Sequence, residues 1–518
     1  MRSLFWEEAR LKVRTVYKRI TLNWITIFFF VLSVLYCFGQ GIVESFSYTL
    51  DTEYHGILSG ITKTAGIPFT NITYLTGFKG TLGHLDLRMC SDIPYGKSPQ
   101  PCVNIFNSSD YNEVSTSLPQ SRVIANLNGG VSVEVHRDEV SSQIDGVTLI
   151  LRNGTNVFIN DHCAQILVQP RENIRTSRSE DITIIALQFW LLIISVIAIV
   201  FSSVPHLIAV LFTRFMISGG MFYRIWRTEY RQNVFDELVA KAGTPCSLDI
   251  LSSYSRTRMM YEIINVSLGG SGFLILALVS IQLIKVYNTQ SVRRIGAPKR
   301  ILRMHKFFLA ILACMQMELI TLIVSLGLWI DIVMNTAIGG LILNRVLYQL
   351  GYISTAILLV PWIILGWKSI RGEKRKMMNL FIAVDFVLIA IWSITFYSQS
   401  YRWTFVQWPF MGAFSVASFV LLTISIILGV TCRLNFGKGL AEYLNAEDAL
   451  ARVRFAPEVF THDSEADEKA SPQGIIAITK PKAQYDQTRR TSSTSEFFPA
   501  LRFSSRPQSW NPTVMGHL

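Results

Sequence analysis

Residues 205–226 read PHLIAVLFTRFMISGGMFYRIW, and whether this stretch crosses a membrane decides the topology of the chain. Seven other apolar runs surround it, at about 22–43, 182–204, 260–286, 307–330, 338–366, 378–398 and 407–431. A hydrocarbon core about 30 Å thick takes roughly 20 apolar residues of helix, so each run is long enough to span. Half of the 518 residues are hydrophobic and only 16% are charged, which fits a membrane protein better than a soluble one.

Charge between the runs orients them. Arg2, Arg10, Lys12, Arg14, Lys18 and Arg19 precede the first. The linker 287–306 carries Arg293, Arg294, Lys299, Arg300, Arg303 and Lys306, and 367–377 carries Lys368, Arg371, Lys374, Arg375 and Lys376. Basic residues beside spans mark the cytosolic side, so all three segments and both termini are expected in the cytosol. The net charge of +12 is explained this way and does not call for nucleic acid. With seven spans the two ends of the chain give conflicting orientations. An eighth crossing over 205–226, entered by a tight turn at Ser202–Pro205, restores parity. Pro205 suits a first helical turn, where its missing N–H is not needed. The rival reading is an interfacial helix, which forces the six-charge linker outside. The spanning reading puts Arg214 near mid-bilayer, at a cost of about 2.5–3.5 kcal/mol unless it is partnered.

The expected fold is therefore an all-α transmembrane helical bundle of eight spans, a signal anchor plus seven, with a β-rich external domain. Its divisions are a cytosolic N-terminus (1–20), the anchor (21–43), the external domain (44–181), a seven-helix membrane domain (182–432), a juxtamembrane helix (433–454) and a disordered tail (455–518). The apolar stretch of the anchor exceeds the usual 7–15 residues of a signal peptide. Within 44–181, Val131, Val133 and Val135 alternate with polar residues, as do Val147, Leu149 and Leu151. Asn153-Gly154 before Val157-Phe158-Ile159 signals a hairpin. Asn71, Asn107 and Asn153 begin N-glycosylation sequons; the sequon at Asn265 lies at a membrane boundary, where modification is not expected.

Four of seven cysteines, Cys90, Cys102, Cys163 and Cys246, fall outside in this topology, where two disulfides can form. Cys90–Cys102 is the nearer pair, and Cys163–Cys246 would tie the domain to the external loop 227–259. Sequence leaves three connectivities open, and free thiols are the alternative. Zinc spacing is lacking, and neither a metal nor a cofactor is expected.

Inside the spans stand Arg214, Glu318, Arg345 and Asp385. Charges at depth face the bundle interior and pair. An Arg–carboxylate pair among these four is expected as a structural lock, the alternative being an ion or proton path. Gly269-Gly270-Ser271-Gly272 matches the Gly-x-Ser-Gly pattern of rhomboid proteases, but the later histidines, His305, His462 and His517, lie outside later spans. Helix packing through small residues is the preferred reading, and no enzyme is expected. Tyr401, Trp403, Trp408, Trp362 and Trp367 are expected as headgroup anchors.

Past the last span, 437–454 has helical periodicity. From 455 on the chain is too polar to bury a core, and Arg489-Arg490-Thr491-Ser492 presents Ser492 as a phosphorylation site. Four stretches, Thr244-Pro245-Cys246, Leu328-Trp329-Ile330-Asp331, Tyr401-Arg402-Trp403-Thr404-Phe405-Val406-Gln407-Trp408-Pro409-Phe410 and Cys432-Arg433-Leu434-Asn435-Phe436-Gly437-Lys438-Gly439-Leu440, resemble those of an uncharacterised family of fungal multi-spanning membrane proteins over about 180–455. The resemblance implies a shared bundle and no activity. The expected function is a receptor-like or sensor protein with an external domain, in the plasma membrane or a secretory-pathway membrane. Its partners are the lipid bilayer and a cytosolic protein at the tail. A transporter or channel using the intramembrane charges, and a purely structural membrane protein, are the alternatives.

Overall fold

Helix α1 (Trp24–Thr64) is 41 residues long, about 60 Å at 1.5 Å per residue, twice the hydrocarbon thickness. Its buried stripe runs Phe29, Ser33, Tyr36, Gln40, Glu44, Ser47, Asp51, Tyr54, Leu58, Ile61, three or four residues apart, as one helix face requires. The stripe turns polar midway. Apolar periodicity therefore fades after 43, which is why the sequence suggests an end there. The computed structural model describes residues 14–438 except 15, 77–84, 95–100, 112–121, 124–130, 138–143, 152–153, 296–298 and 343–344. The chain divides into two units, Met1–Arg454 and Phe455–Leu518, and all described residues belong to the first. The juxtamembrane helix, the tail with Ser492, Asn153 and the Arg345 side chain lie outside the described residues.

After α1 come β1 (Ile72–Thr76), β2 (Asp86–Cys90) and β3 (Cys102–Asn107), an antiparallel meander, then β4 (Arg122–Val123). β5 (Val131–Arg137), β6 (Ile144–Leu151) and β7 (Asn156–Asn160) form a second meander, with Val133 opposite Leu149 and Val135 opposite Val147. Gly154, at φ +78°, closes the β6–β7 hairpin in a conformation glycine adopts without penalty. Short helix α2 (Asp161–Ile166) leads into α3 (Val168–Val200). The region 44–181 thus opens and closes in helix, and its strands occupy 72–160.

The turn at Phe201–Ser203, with Ser202 at φ 48°, starts α4 (Val204–Phe235), and Pro205 sits in its first turn. Residues 205–226 form part of a bundle helix packed against α3, α5 (Ser252–Ile295) and α6 (Lys299–Asn335). One π-helical turn, Asp236–Ala240, and β8 (Leu248–Asp249), which pairs parallel with β4, connect α4 to α5. Short α7 (Ala337–Leu341), α8 (Arg345–Arg371), α9 (Arg375–Tyr397), α10 (Gln399–Gln407) and α11 (Pro409–Asn435) complete the described chain. The run 338–366 is not one helix. A Cβ on Gly339 would lie 2.0 Å from the Val333 carbonyl oxygen, so the chain turns there and resumes at Arg345.

Eight helices among the described residues are long and apolar enough to cross a membrane: α1, α2–α3, α4 with its π turn, α5, α6, α8, α9 and α11. Their polarity is inverted relative to a soluble core. Leu35, Phe38, Ile42, Leu278, Ile357, Val360 and Ile427 are exposed, whereas Ser33, Ser195, Ser280, Ser325, Ser418 and Ser425 are buried. Such an apolar surface is compatible with a lipid surround, and small polar residues let the helices approach. Helices α1, α3, α4 and α5 pack as one group and α6, α8, α9 and α11 as another, joined mainly where α4 meets α6.

Candidate functional site

The charged residues that matter most stand at the ends of the apolar runs, where sequence reading treats them as topology markers. Four helices bring them together in one buried layer. Arg258 of α5 donates to both Asp181 oxygens, at 2.7 and 2.9 Å, lies 2.8 Å from Asp51 Oδ1, and donates to Glu262 at 3.1 Å. Arg224 of α4 donates to Glu44 at 2.9 Å and to Asp181. Asn265 Nδ2 donates to Glu44 at 3.0 Å and Tyr254 Oη to Asp51 at 2.9 Å. One turn along, Arg227 makes a two-pronged pair with Glu180, which also accepts from the Trp408 indole. Arg175 reaches Asp331 at 3.1 Å.

The spacing that builds this layer is legible in retrospect. Glu44, Ser47 and Asp51 share one face of α1; Arg224, Arg227 and Arg231 share one face of α4; Arg258 and Glu262 are one turn apart. Acidic residues on α1 and α3 meet basic ones on α4 and α5. Disulfide Cys163–Cys246 places the start of α2 beside the loop after α4, so α3 and α4 form a complete out-and-back pair. Cys90–Cys102 joins paired positions on β2 and β3.

The residues singled out from sequence are placed differently. Arg214 is 1% exposed but has no carboxylate partner among the described residues. It donates to Gln188 at 2.5 Å, Gln188 donates to Gln40 at 2.7 Å, and its guanidinium lies 3.8 Å from the Tyr36 ring centroid. The expected pairing with Glu318 or Asp385 is absent because those acids lie in the other helix group. Asp385 accepts from the Trp362 indole and from Ser425 at 3.1 Å. Glu318 is 0% exposed, and neither carboxyl oxygen has a hydrogen-bond partner among the described residues.

Several aromatic residues are structural rather than anchoring. Trp362, Tyr401, Trp403 and Trp408 are buried. Trp403 packs edge-on against Tyr74 of β1, tying the first sheet to α10. Tyr401 donates to Ser415 at 2.8 Å, and burial pushes its phenol up to about 12, so it stays protonated. Trp367 is exposed and carries Arg371 over its ring. In the Gly269–Gly272 stretch, Tyr36 Oη donates to the Gly269 carbonyl at 2.7 Å, and a Cβ on Gly272 would lie 2.1 Å from the Tyr36 ring. Ser271 is exposed and bonds back to Ser267. The motif is a packing seam between α1 and α5. Asn71 and Asn107 are half-buried at strand ends, while Asn265 is inside the charged layer.

An apolar outer surface, a buried charged layer within a largely hydrophobic core, and eight helices of membrane-spanning length among the described residues are compatible with a multi-pass membrane protein. No family model, curated protein or solved structure matches the chain.

Proposed function

We propose that this is a receptor-like or sensor protein whose strand-bearing segment, 72–160, faces outside and is coupled to the bundle through the buried charged layer. The observation that carries this reading is the geometry of α1 and α5, which run through the layer without a break and hold both regions at once. Movement of the strands relative to α1 must either carry the helix along or break ion pairs that are costly to break when buried. In this reading both termini lie in the cytosol, the strands lie in an oxidising compartment with glycans at Asn71, Asn107 and Asn153, and a regulatory partner binds the tail. No enzymatic step is assigned. Kinship with uncharacterised fungal multi-spanning proteins over about 180–455 is part of the same proposal.

A second reading, transport, draws on Glu318, a buried acid with no hydrogen-bond partner among the described residues. One experiment separates the two. An antibody fragment raised against the 131–160 strands is added to the purified protein, and hydrogen exchange is followed at the turns 201–203 and 371–374. Altered exchange at these distant turns supports coupling. Unchanged exchange, together with an ion flux in liposomes that Glu318→Gln removes, supports transport instead.

A further inference from the structure

The charged layer is not balanced. Glu44, Asp51, Asp181 and Glu262 meet two guanidiniums, Arg224 and Arg258, and all six residues are at most 2% exposed. Neighbouring Arg227 is taken by Glu180. If every acid were ionised, the six would carry two uncompensated negative charges away from water, which burial strongly disfavours. Four buried acceptors in the same place have no hydrogen-bond partner among the described residues: Asp51 Oδ2, Glu262 Oε2, Asn265 Oδ1 and Ser47 Oγ. Ser47 and Asn265 are fixed there by contacts of their own, the Ser47 carbonyl accepting from Arg258 and the Asn265 amide donating to Glu44. Excess negative charge and idle acceptors call for a small positive species, and a proton fits between packed oxygens without a cavity.

A route to the cluster is present. Tyr254, which donates to Asp51, also lines a cleft of about 40 Å³ with Asn173, Ser177, Arg231 and Ser255. That is room for roughly two or three waters. Arg231 uses its guanidinium on Ser177 at 2.7 Å and the Asn173 carbonyl at 2.9 Å, and keeps the cleft polar. The charged and titratable groups facing the cluster are Glu44 and Asp51 from α1, Glu180 and Asp181 from α3, Arg224, Arg227 and Arg231 from α4, and Tyr254, Arg258 and Glu262 from α5.

We propose that Glu44, Asp51, Asp181, Glu262, Arg224 and Arg258 form a proton-binding site, reached from the strand-bearing side through the cleft at Tyr254, and that proton binding tightens the seam between α1, α3, α4 and α5. The free Oδ2 of Asp51 is the atom open to a proton, which the cluster binds as a unit. In the unfolded chain the same carboxyls titrate near pH 4. Above that the folded state binds more protons than the unfolded one, so stability falls as pH rises. The proposal rests on the layer being the seam of the receptor-like reading.

The test is thermal unfolding of the full-length protein in lipid nanodiscs from about pH 5 to about pH 9, a range that starts just above the usual carboxylate values, at fixed ionic strength. The parent midpoint should fall by several degrees across the range. The D51N/E262Q double variant, neutral at both free oxygens, should hold its midpoint nearly constant. A flat parent profile, or a slope unchanged in the double variant, overturns the proposal. So does a midpoint that follows the replacement of sodium by choline rather than pH. Should the double variant not fold, D51N alone decides: a shallower slope supports the site and an unchanged slope overturns it. A flat profile removes the proton site and leaves the receptor-like reading intact. Failure of the antibody-fragment experiment removes that reading and leaves the slope.

Discussion

Arg258 holds Asp181 with two guanidinium nitrogens, at 2.7 and 2.9 Å, across the contact between α5 and α3. Both side chains are buried, at 2% and 0% exposure. Asp181 also receives Arg224 from α4, so one carboxylate joins three helices at the level where the apolar runs end.

Removing Arg258 leaves buried carboxylates short of a cation, and Asp181→Asn turns one accepting oxygen into an amide NH2 that faces guanidinium donors. Arg258→Ala and Asp181→Asn should each cost about 3–5 kcal/mol, read as loss of folded yield and a lower unfolding midpoint in detergent. Arg258→Lys keeps the charge but loses the planar fork and should recover only part of the loss. Parent-like stability of Asp181→Asn would show that the layer is not a structural lock.

The seam between α1 and α5 gives a paired test. Gly272→Ala places a methyl 2.1 Å from a Tyr36 ring that is fixed by its hydrogen bond to Gly269, whereas a Cβ on Gly270 meets nothing within 4 Å. Overpacking of this kind costs about 1–3 kcal/mol. Gly272→Ala should therefore lower the midpoint and Gly270→Ala should leave it in place. Equal behaviour of the two would contradict the packing.

In the second helix group, Asp385 depends on the Trp362 indole and on Ser425, while Glu318 has no hydrogen-bond partner among the described residues. Trp362→Phe removes one donor and should cost about 1–3 kcal/mol. Glu318→Met replaces an unsatisfied polar group by an apolar one of similar length and should be neutral or stabilising. A Glu318→Met protein that fails to fold would show that the acid has a structural partner.

How much of this was legible follows from what each residue does. The eight apolar runs, the turn before Pro205, the β6–β7 hairpin and the two cysteine pairs rest on local signals: hydrophobic length, a proline at a first helical turn, Asn-Gly between alternating runs, and four cysteines on one side. Arg214 was visible because a lone cation in an apolar run is conspicuous. Its partners, Gln40, Gln188 and Tyr36, were hidden because neutral amides and a ring give no charge signal. The layer around Asp181 was missed for a different reason. Glu44, Asp51, Arg224, Arg258 and Glu262 lie at span boundaries, where charges are ordinary, and only tertiary packing reveals that their faces converge. Trp362, Tyr401, Trp403 and Trp408 read as anchors for the same reason, since aromatic residues near span ends serve both purposes.

The central claim is that α4 crosses the membrane and returns the chain to the side that carries the strands, so that Arg224 and Arg258 meet Glu44, Asp51 and Asp181 there. The direct measurement is the accessibility of an epitope inserted after Ala242, between α4 and α5, in intact cells. Labelling without permeabilisation, together with a glycosidase-sensitive mass shift that is lost when Asn71, Asn107 and Asn153 are all replaced, is the predicted result. An epitope that is labelled only after the membrane is opened would contradict the crossing, and with it the assembly of the layer.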